Sequence, residues 1–168
     1  MSDTKIVPEY SQDRTLGNLE LAVVVPTFNE IENIVRLIDA LQAALEGHAF
    51  EIIVVDDDSP DGTADQVRKI AQGNLRVRCI QRIGRRGLSS AFVEGALATA
   101  APVVAAIDGD MQHDEKMLPM MLKTLLSRDL EVVVGSRYLE AGGTGDWTES
   151  RILSSRIATT LAPVRVRN

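Results

Sequence analysis

The sequence has a single cysteine, no long apolar run and no excess of positive charge. With Cys79 as its only cysteine, the 168-residue chain forms no internal disulfide, which agrees with a reducing compartment. No apolar stretch approaches the roughly 18 to 20 residues that cross a bilayer. A net charge of −6 argues against nucleic-acid binding through bulk electrostatics. We therefore expect a cytoplasmic protein without a nucleic-acid partner, and leave open whether it lies at the membrane's cytoplasmic face.

Apolar runs alternate with segments of helical periodicity along most of the chain. The runs predict strands at residues 19–25, 50–55, 77–81, 103–107 and 131–137. Between them, the spacing predicts helices over residues 31–45, 64–71, 88–99 and 116–126. Pro26 is expected to stop the first strand, and Asn29 to cap the first helix. This alternation predicts an open, mainly parallel α/β sheet.

Two carboxylates follow directly after the apolar run at 103–107. Strand alternation would direct Asp108 and Asp110 to the same side, where both can reach one cation. Oxygen ligands of this kind suit Mg²⁺ or Mn²⁺, which complete their shell with water and substrate phosphates. The alternative is a solvated acidic turn.

Polar side chains follow other predicted strands as well. The first strand runs into residues 26–30, the second into the aspartates at 56–58, and the last into Arg137. In sheets of this kind, ligands bind at the carboxyl ends of strands, near a switch in strand order. Each group alone is explained by a cap, a turn or a solvated end, but their joint occurrence favours a binding site.

Four segments carry these residues: VPTFNE at 25–30, VVDDDSPDGT at 54–63, DGDMQH at 108–113 and GSRY at 135–138. In order and spacing they resemble family 2 glycosyltransferases, in particular the polyprenyl-phosphate (dolichol-phosphate) mannosyltransferases. The resemblance implies an α/β GT-A fold, a Rossmann-like nucleotide-diphospho-sugar transferase sandwich with a mainly parallel central sheet. It covers residues 19–162. Residues 1–18 are polar and aperiodic and are expected to form a flexible leader, and residues 163–168 a tail.

The resemblance also implies an activity and its partners. It implies inverting transfer of a hexose, most readily mannose from GDP-mannose, to polyprenyl or dolichyl phosphate, with Mg²⁺ or Mn²⁺ as cofactor. Metal ligands would be Asp108, Asp110 and Gln112. Donor contacts would come from Pro26, Phe28, Glu30, Val55, Asp57, Gly109, Arg137 and Arg151. Asp110 and Arg137 would be catalytic, and Arg151 would also reach the acceptor phosphate.

Several residues keep two interpretations. His113 is a metal ligand or a structural hydrogen-bonding residue, and Asp114 is a general base or a helix cap. The amides of the loop at 84–87 bind an anion or are solvated. Residues 152–161 form a helix that lies on a membrane surface or packs on the sheet.

The Asp-Pro-x-Ser-Gly-Phe-like segment that continues family members does not follow here, so we expect an incomplete acceptor side. Three hypotheses follow from this. The chain is a working transferase, a nucleotide-sugar-binding remnant without turnover, or a scaffold completed by a partner subunit.

Overall fold

The computed structural model describes residues 19–135. Their strands are β1 (Leu21–Thr27), β2 (Phe50–Asp56), β3 (Val77–Gln81) and β4 (Val103–Ala106). Their helices are α1 (Ile34–Ala44), α2 (Thr63–Gly73), α3 (Leu88–Leu97) and α4 (Leu118–Ser127), with a 3₁₀ turn at Glu115–Met117. All these elements precede a division of the chain between Glu131 and Val132. The predicted leader, the tail and the predicted helix at 152–161 lie outside the described residues.

The four strands form one parallel sheet in the order β3-β2-β1-β4. This confirms the predicted mainly parallel sheet. The chain builds outward from β1 to β2 and β3, and then returns to place β4 on the other side of β1. The switch in strand order therefore lies between β1 and β4, and ligands of such sheets bind at the carboxyl end of that boundary.

Side-chain alternation along the strands supplies two apolar faces. Val23, Val25 and Ile52 pack in one cluster with residues of α1, α2 and α4. Val24 and Val55 face the other way, against α3. The α3 helix lies close to the sheet because Gly95 has no side chain. A Cβ there would overlap Val24 Cγ1 and lie 3.0 Å from Val24 Cγ2.

The structure corrects three local predictions. Pro26 lies within β1, because the ladder with β4 ends at Val24 and no N–H is required beyond it. Asn29 does not cap α1, which begins at Ile34 after an irregular turn. Residues 131–135, predicted to begin a fifth strand, are irregular, and the rest of that predicted strand lies outside the described residues.

Within the described residues, no helix has the length and apolar character required to cross a membrane. Cys79, on β3, is half-buried and free, and burial raises the pKa of its thiol.

Candidate functional site

Three candidate metal ligands converge beyond the carboxyl end of β4. One ligand atom each from Asp108, Asp110 and His113 lies within 4.8 Å of the other two. His113 Nε2 is 3.5 Å from Asp108 Oδ2. In the intervening turn, Met111 is left-handed with a φ of 59°, and the backbone N–H of Gln112 donates to Asp110 Oδ1 at 3.1 Å. The turn thus holds the two carboxylates and the imidazole close to one another.

The donor set suits a divalent cation. Two carboxylates and an imidazole are ligands of Mn²⁺, while Mg²⁺ uses mainly the carboxylates. Ligands about 2.1 Å from a shared ion lie about 3 to 4 Å apart, so the cluster needs little adjustment to hold one. Asp108 and Asp110 are partly exposed and His113 is exposed, which leaves room for water and a substrate oxygen.

The end of β1 lies directly against this cluster. A Cβ at Gly109 would lie 3.0 Å from Glu30 Cγ and 3.2 Å from Thr27 Cγ2, so only glycine fits without a shift. Glu30 is held in place by Asn33 Nδ2, which donates to its Oε2 at 2.9 Å. The predicted residues Glu30, Asp108, Gly109 and Asp110 therefore share one rim at the switch in strand order.

The loop after β1 is fastened to the loop after β2. The amides of Asn29, Glu30 and Ile31 donate to Ser59 Oγ, Thr63 Oγ1 and Asp61 Oδ2, at 2.9, 3.1 and 3.1 Å. Burial opposes ionisation of Asp61, but hydrogen bonds from the Thr63 hydroxyl and from the Thr63 and Ile31 amides outweigh it and lower its pKa. Side chains of the second loop and of the first residue of α2 therefore accept hydrogen bonds from backbone N–H groups of the first loop.

Asp57, the predicted nucleotide contact, is buried and already paired. Its Oδ1 accepts from Arg82 Nε at 2.7 Å, and its Oδ2 accepts from the Gly87 amide at 2.7 Å. The Gly87 amide is therefore not free to bind an anion, which removes one donor from the predicted anion site at 84–87.

The remaining predicted nucleotide contacts differ in exposure. The Phe28 ring is 40% exposed, and the Arg86 guanidinium lies over it with 4.1 Å from Cζ to the ring centroid. Pro26 is buried in β1, and Val55 is fully buried in β2. Pro26 and Asp108 also line a cavity of about 320 Å³ beside Phe92 of α3.

Backbone strain is concentrated at the same edge of the sheet. Three non-glycine residues with positive φ follow three strands: Asn29 after β1, Asp58 after β2 and Met111 after β4. Asparagine and aspartate tolerate this conformation, but methionine rarely adopts it. Strain of this kind persists where the surroundings impose it, and it is common at functional sites.

A family model described as glycosyl transferase family 2 matches residues 22–166. This chain belongs to that family. It is 33% identical over 138 residues to a dolichol-phosphate mannosyltransferase of Pyrococcus furiosus, covering 82% of this chain and 39% of that protein. It is 32% identical over 149 residues to the dolichol-phosphate mannosyltransferase of Saccharomyces cerevisiae, covering 86% of this chain and 55% of that protein. The chain thus spans roughly two fifths to a little over half of these curated relatives.

Solved structures give the same fold. A mannosyltransferase from Pyrobaculum calidifontis, in complex with GDP-Man and Mn²⁺, superposes with a TM-score of 0.56 at 26% identity. That match covers 64% of this chain and 32% of the other. Glucosyl-3-phosphoglycerate synthase from Mycobacterium tuberculosis gives 0.53 at 28% identity, covering 66% and 40%. The GT-A fold predicted for this member of the family is confirmed.

Sequence reasoning placed some residues of this family 2 chain better than others. The structure brings Asp108 and Asp110 close together, and Asp114 caps the 3₁₀ turn by accepting from the Lys116 amide at 3.1 Å. Arg137 and Arg151 lie outside the described residues, so their roles stay predictions. Arg82 was missed because a run of arginines is typical of a solvated loop; only its position one residue after a strand distinguished it.

Proposed function

We propose that this chain provides the donor-binding part of a glycosyltransferase that passes mannose from GDP-mannose to polyprenyl phosphate. The observation that carries the proposal is the convergence of Asp108, Asp110 and His113 at the switch in strand order, against Glu30. The names of the archaeal and yeast relatives support mannose and a dolichol-phosphate acceptor. The GDP-Man and Mn²⁺ complex of the Pyrobaculum enzyme supports the donor and the ion.

In this proposal Asp108 and Asp110 hold Mg²⁺ or Mn²⁺. When bound, such an ion neutralises charge on the donor diphosphate and on the leaving nucleoside diphosphate. Gln112, by resemblance, or His113, by its place in the cluster, supplies a further ligand. Mn²⁺ titration of Gln112→Ala and His113→Ala separates these two assignments, because only loss of a direct ligand weakens the metal-binding constant strongly.

The nucleoside lies, in this proposal, along the ends of β1 and β2. Phe28 offers an exposed ring for stacking, and Glu30 and Asp57 offer acceptors for base or ribose donors. Pro26, Val55 and Gly109 shape the floor of the site, since all three are buried. Stacking, hydrogen bonds and shape together orient the donor before transfer.

Transfer itself needs little acid–base help from the chain. A phosphate monoester acceptor is already anionic near neutral pH, so its oxygen attacks the anomeric carbon directly. The bond from that carbon to the donor diphosphate breaks, and in-line displacement inverts the configuration. Asp114 is engaged as a helix cap, which argues against its role as a general base. Arg137 and Arg151 are proposed to bind phosphate, Arg137 for catalysis and Arg151 on the acceptor side.

Two other hypotheses stay open beside the first. The chain binds the donor without turning it over, or it requires a partner subunit for the acceptor side. A peripheral position at the cytoplasmic face of a membrane belongs to the first proposal, because the acceptor is a lipid.

Calorimetric titration with GDP-mannose, with and without Mn²⁺, tests the donor site. We expect Mn²⁺-dependent binding by the wild type and by the control Asp39→Ala on the exposed side of α1, and its loss in Asp110→Ala. Equal affinity of Asp110→Ala and the wild type in Mn²⁺ would contradict the metal assignment. Transfer to polyprenyl phosphate then separates a working enzyme from a binding remnant, and activity restored only by a partner subunit indicates a scaffold.

A further inference from the structure

Arg82 is the buried basic side chain of the described residues. It follows β3 directly and is 1% exposed. Burying an arginine is costly unless its charge is paired and its N–H groups are satisfied. The surroundings of Arg82 must therefore provide both, and they come from three separate parts of the fold.

Every nitrogen of the guanidinium has a partner. Nε and Nη2 both lie against Asp57 Oδ1, at 2.7 and 2.5 Å. Nη2 also donates to the Gly87 carbonyl at 3.0 Å, and Nη1 donates to Ser90 Oγ at 2.8 Å and Glu94 Oε2 at 3.3 Å. Arg82 thereby joins the end of β2 to the loop before α3 and to the first turns of that helix.

These contacts leave Asp57 with a restricted acceptor capacity. A carboxylate offers about four lone-pair positions. On Oδ1, one position accepts from Arg82 Nε, and Arg82 Nη2 lies against the same oxygen in an ion pair, while one position on Oδ2 accepts from the Gly87 amide. One position on Oδ2 is left. A carboxylate that would otherwise rotate becomes a single acceptor with a fixed direction, at the carboxyl end of β2.

Stability alone does not account for the arrangement. A buried ion pair is often no more stabilising than apolar residues of the same volume, because desolvation offsets the attraction. The planar fork of arginine does provide a fixed geometry that lysine cannot reproduce. We therefore look for the role of the pair in the fixed orientation of the Asp57 carboxylate.

We propose that Arg82 is a positioning residue for nucleoside recognition, acting by aiming the free lone pair of Asp57 at a base or ribose donor. The inference rests on the proposed function, since it requires a nucleotide at the ends of β1 and β2. Arg82 is 1% exposed, and each nitrogen of its guanidinium already has a protein partner. Its effect must therefore pass through Asp57 and fall on the nucleoside, not on the diphosphate.

Arg82→Lys is the primary variant, because it keeps the positive charge and removes the planar set of guanidinium N–H donors. With Mn²⁺ present, we expect its GDP dissociation constant to rise about tenfold, the size of one hydrogen bond to a charged group. Affinity for pyrophosphate, which lacks the nucleoside, should stay within about twofold of wild type, well below one hydrogen bond. In the Asp57→Asn background, Arg82→Lys should have no further effect on GDP binding, because the aimed group is already altered.

Arg78→Lys is the matched control. Arg78 also pairs with a buried carboxylate, Glu51, at 2.8 Å, and also donates to a carbonyl at an end of α3, that of Ala98. Glu51 lies near the start of β2, at the opposite end of the strand from Asp57. A loss of GDP affinity caused by general loosening of the sheet would appear in this control as well, and we expect none.

The outcomes separate the inference from the function on which it rests. A wild-type chain that fails to bind GDP in Mn²⁺ overturns the proposed function and the inference with it. A wild type that binds, with Arg82→Lys unchanged or with equal losses for GDP and pyrophosphate, overturns only the role of Arg82. If circular dichroism finds Arg82→Lys unfolded, Ser90→Ala decides: it removes one guanidinium partner, and should weaken GDP binding about threefold, as for one neutral hydrogen bond, without affecting pyrophosphate. GDP binding unchanged in Ser90→Ala would then overturn the inference.

Discussion

Gly109 packs against Glu30 so closely that the two strand ends they belong to form one rim. A Cβ on Gly109 would lie 3.0 Å from Glu30 Cγ. Because Gly109 separates Asp108 from Asp110, anything that moves it also moves both proposed metal ligands. The missing side chain therefore links the proposed nucleoside contact Glu30 to the proposed metal site.

Gly109→Ala should weaken Mn²⁺-dependent GDP binding about tenfold with little loss of folding stability, since a small displacement of binding groups is costly for affinity. Calorimetry and urea unfolding measure the two effects. The control is Gly73→Ala at the end of α2, where no atom lies within 4 Å of a new Cβ. Wild-type GDP affinity in Gly109→Ala would show that the rim adjusts freely.

Gly95→Ala should destabilise the fold by about 1 to 3 kcal/mol, because the new methyl overlaps Val24 and pushes α3 away from the sheet. Urea unfolding measures the change. Adding Val24→Ala opens the space that the methyl needs, so the double variant should be less destabilised than the sum of the single ones. Strict additivity would mean that α3 does not depend on this contact.

Asp61 should make stability sensitive to acid. Its pKa is lowered in the folded state, so the folded chain binds fewer protons than the unfolded chain in acid. The stabilisation is complete above the unfolded value of about 3.9 and is lost as pH falls through the lower, folded value. Asp61→Asn should remove this part of the slope in urea unfolding between about pH 5 and pH 2, and Asp39→Asn controls for loss of one charge. An unchanged slope in Asp61→Asn would contradict the assignment.

The sheet could be predicted because β1, β2 and β4 are mostly apolar runs and β3 mixes apolar with polar residues, so that each strand is recognised locally. The start of α1 could not, because it depends on distant partners. The amides that would have begun a helix near Asn29 donate instead to Ser59, Thr63 and Asp61, about 30 positions away in sequence. Residues 131–135 have strand-forming composition but are irregular, because composition alone does not supply the hydrogen-bond partners that a strand requires.

The candidate site also has one part that local sequence predicts and one part that it does not. Asp108 and Asp110 follow one strand two residues apart, so alternation along a strand already indicated a shared direction. The pairing of Asp57 with Arg82 joins residues 25 positions apart, and only its place directly after a strand distinguishes that arginine from its exposed neighbours Arg85 and Arg86. The sequence therefore indicates the proposed metal-binding part of the site, while the support behind the proposed nucleoside contact is visible only in the fold.

The left-handed residues at the strand ends set a limit on engineering this protein. Left-handed backbone at Met111 lowers folding stability by about 1 kcal/mol or more, and at Asn29 and Asp58, whose side chains tolerate this conformation, by less. A thermostability screen would therefore favour glycine at these positions. At Met111 that change would also remove a side chain packed against the core, one residue from Asp110. Selection for heat resistance alone would thus reduce the rigidity of the rim. Asn29, Asp58 and Met111 should therefore be held constant in such a screen.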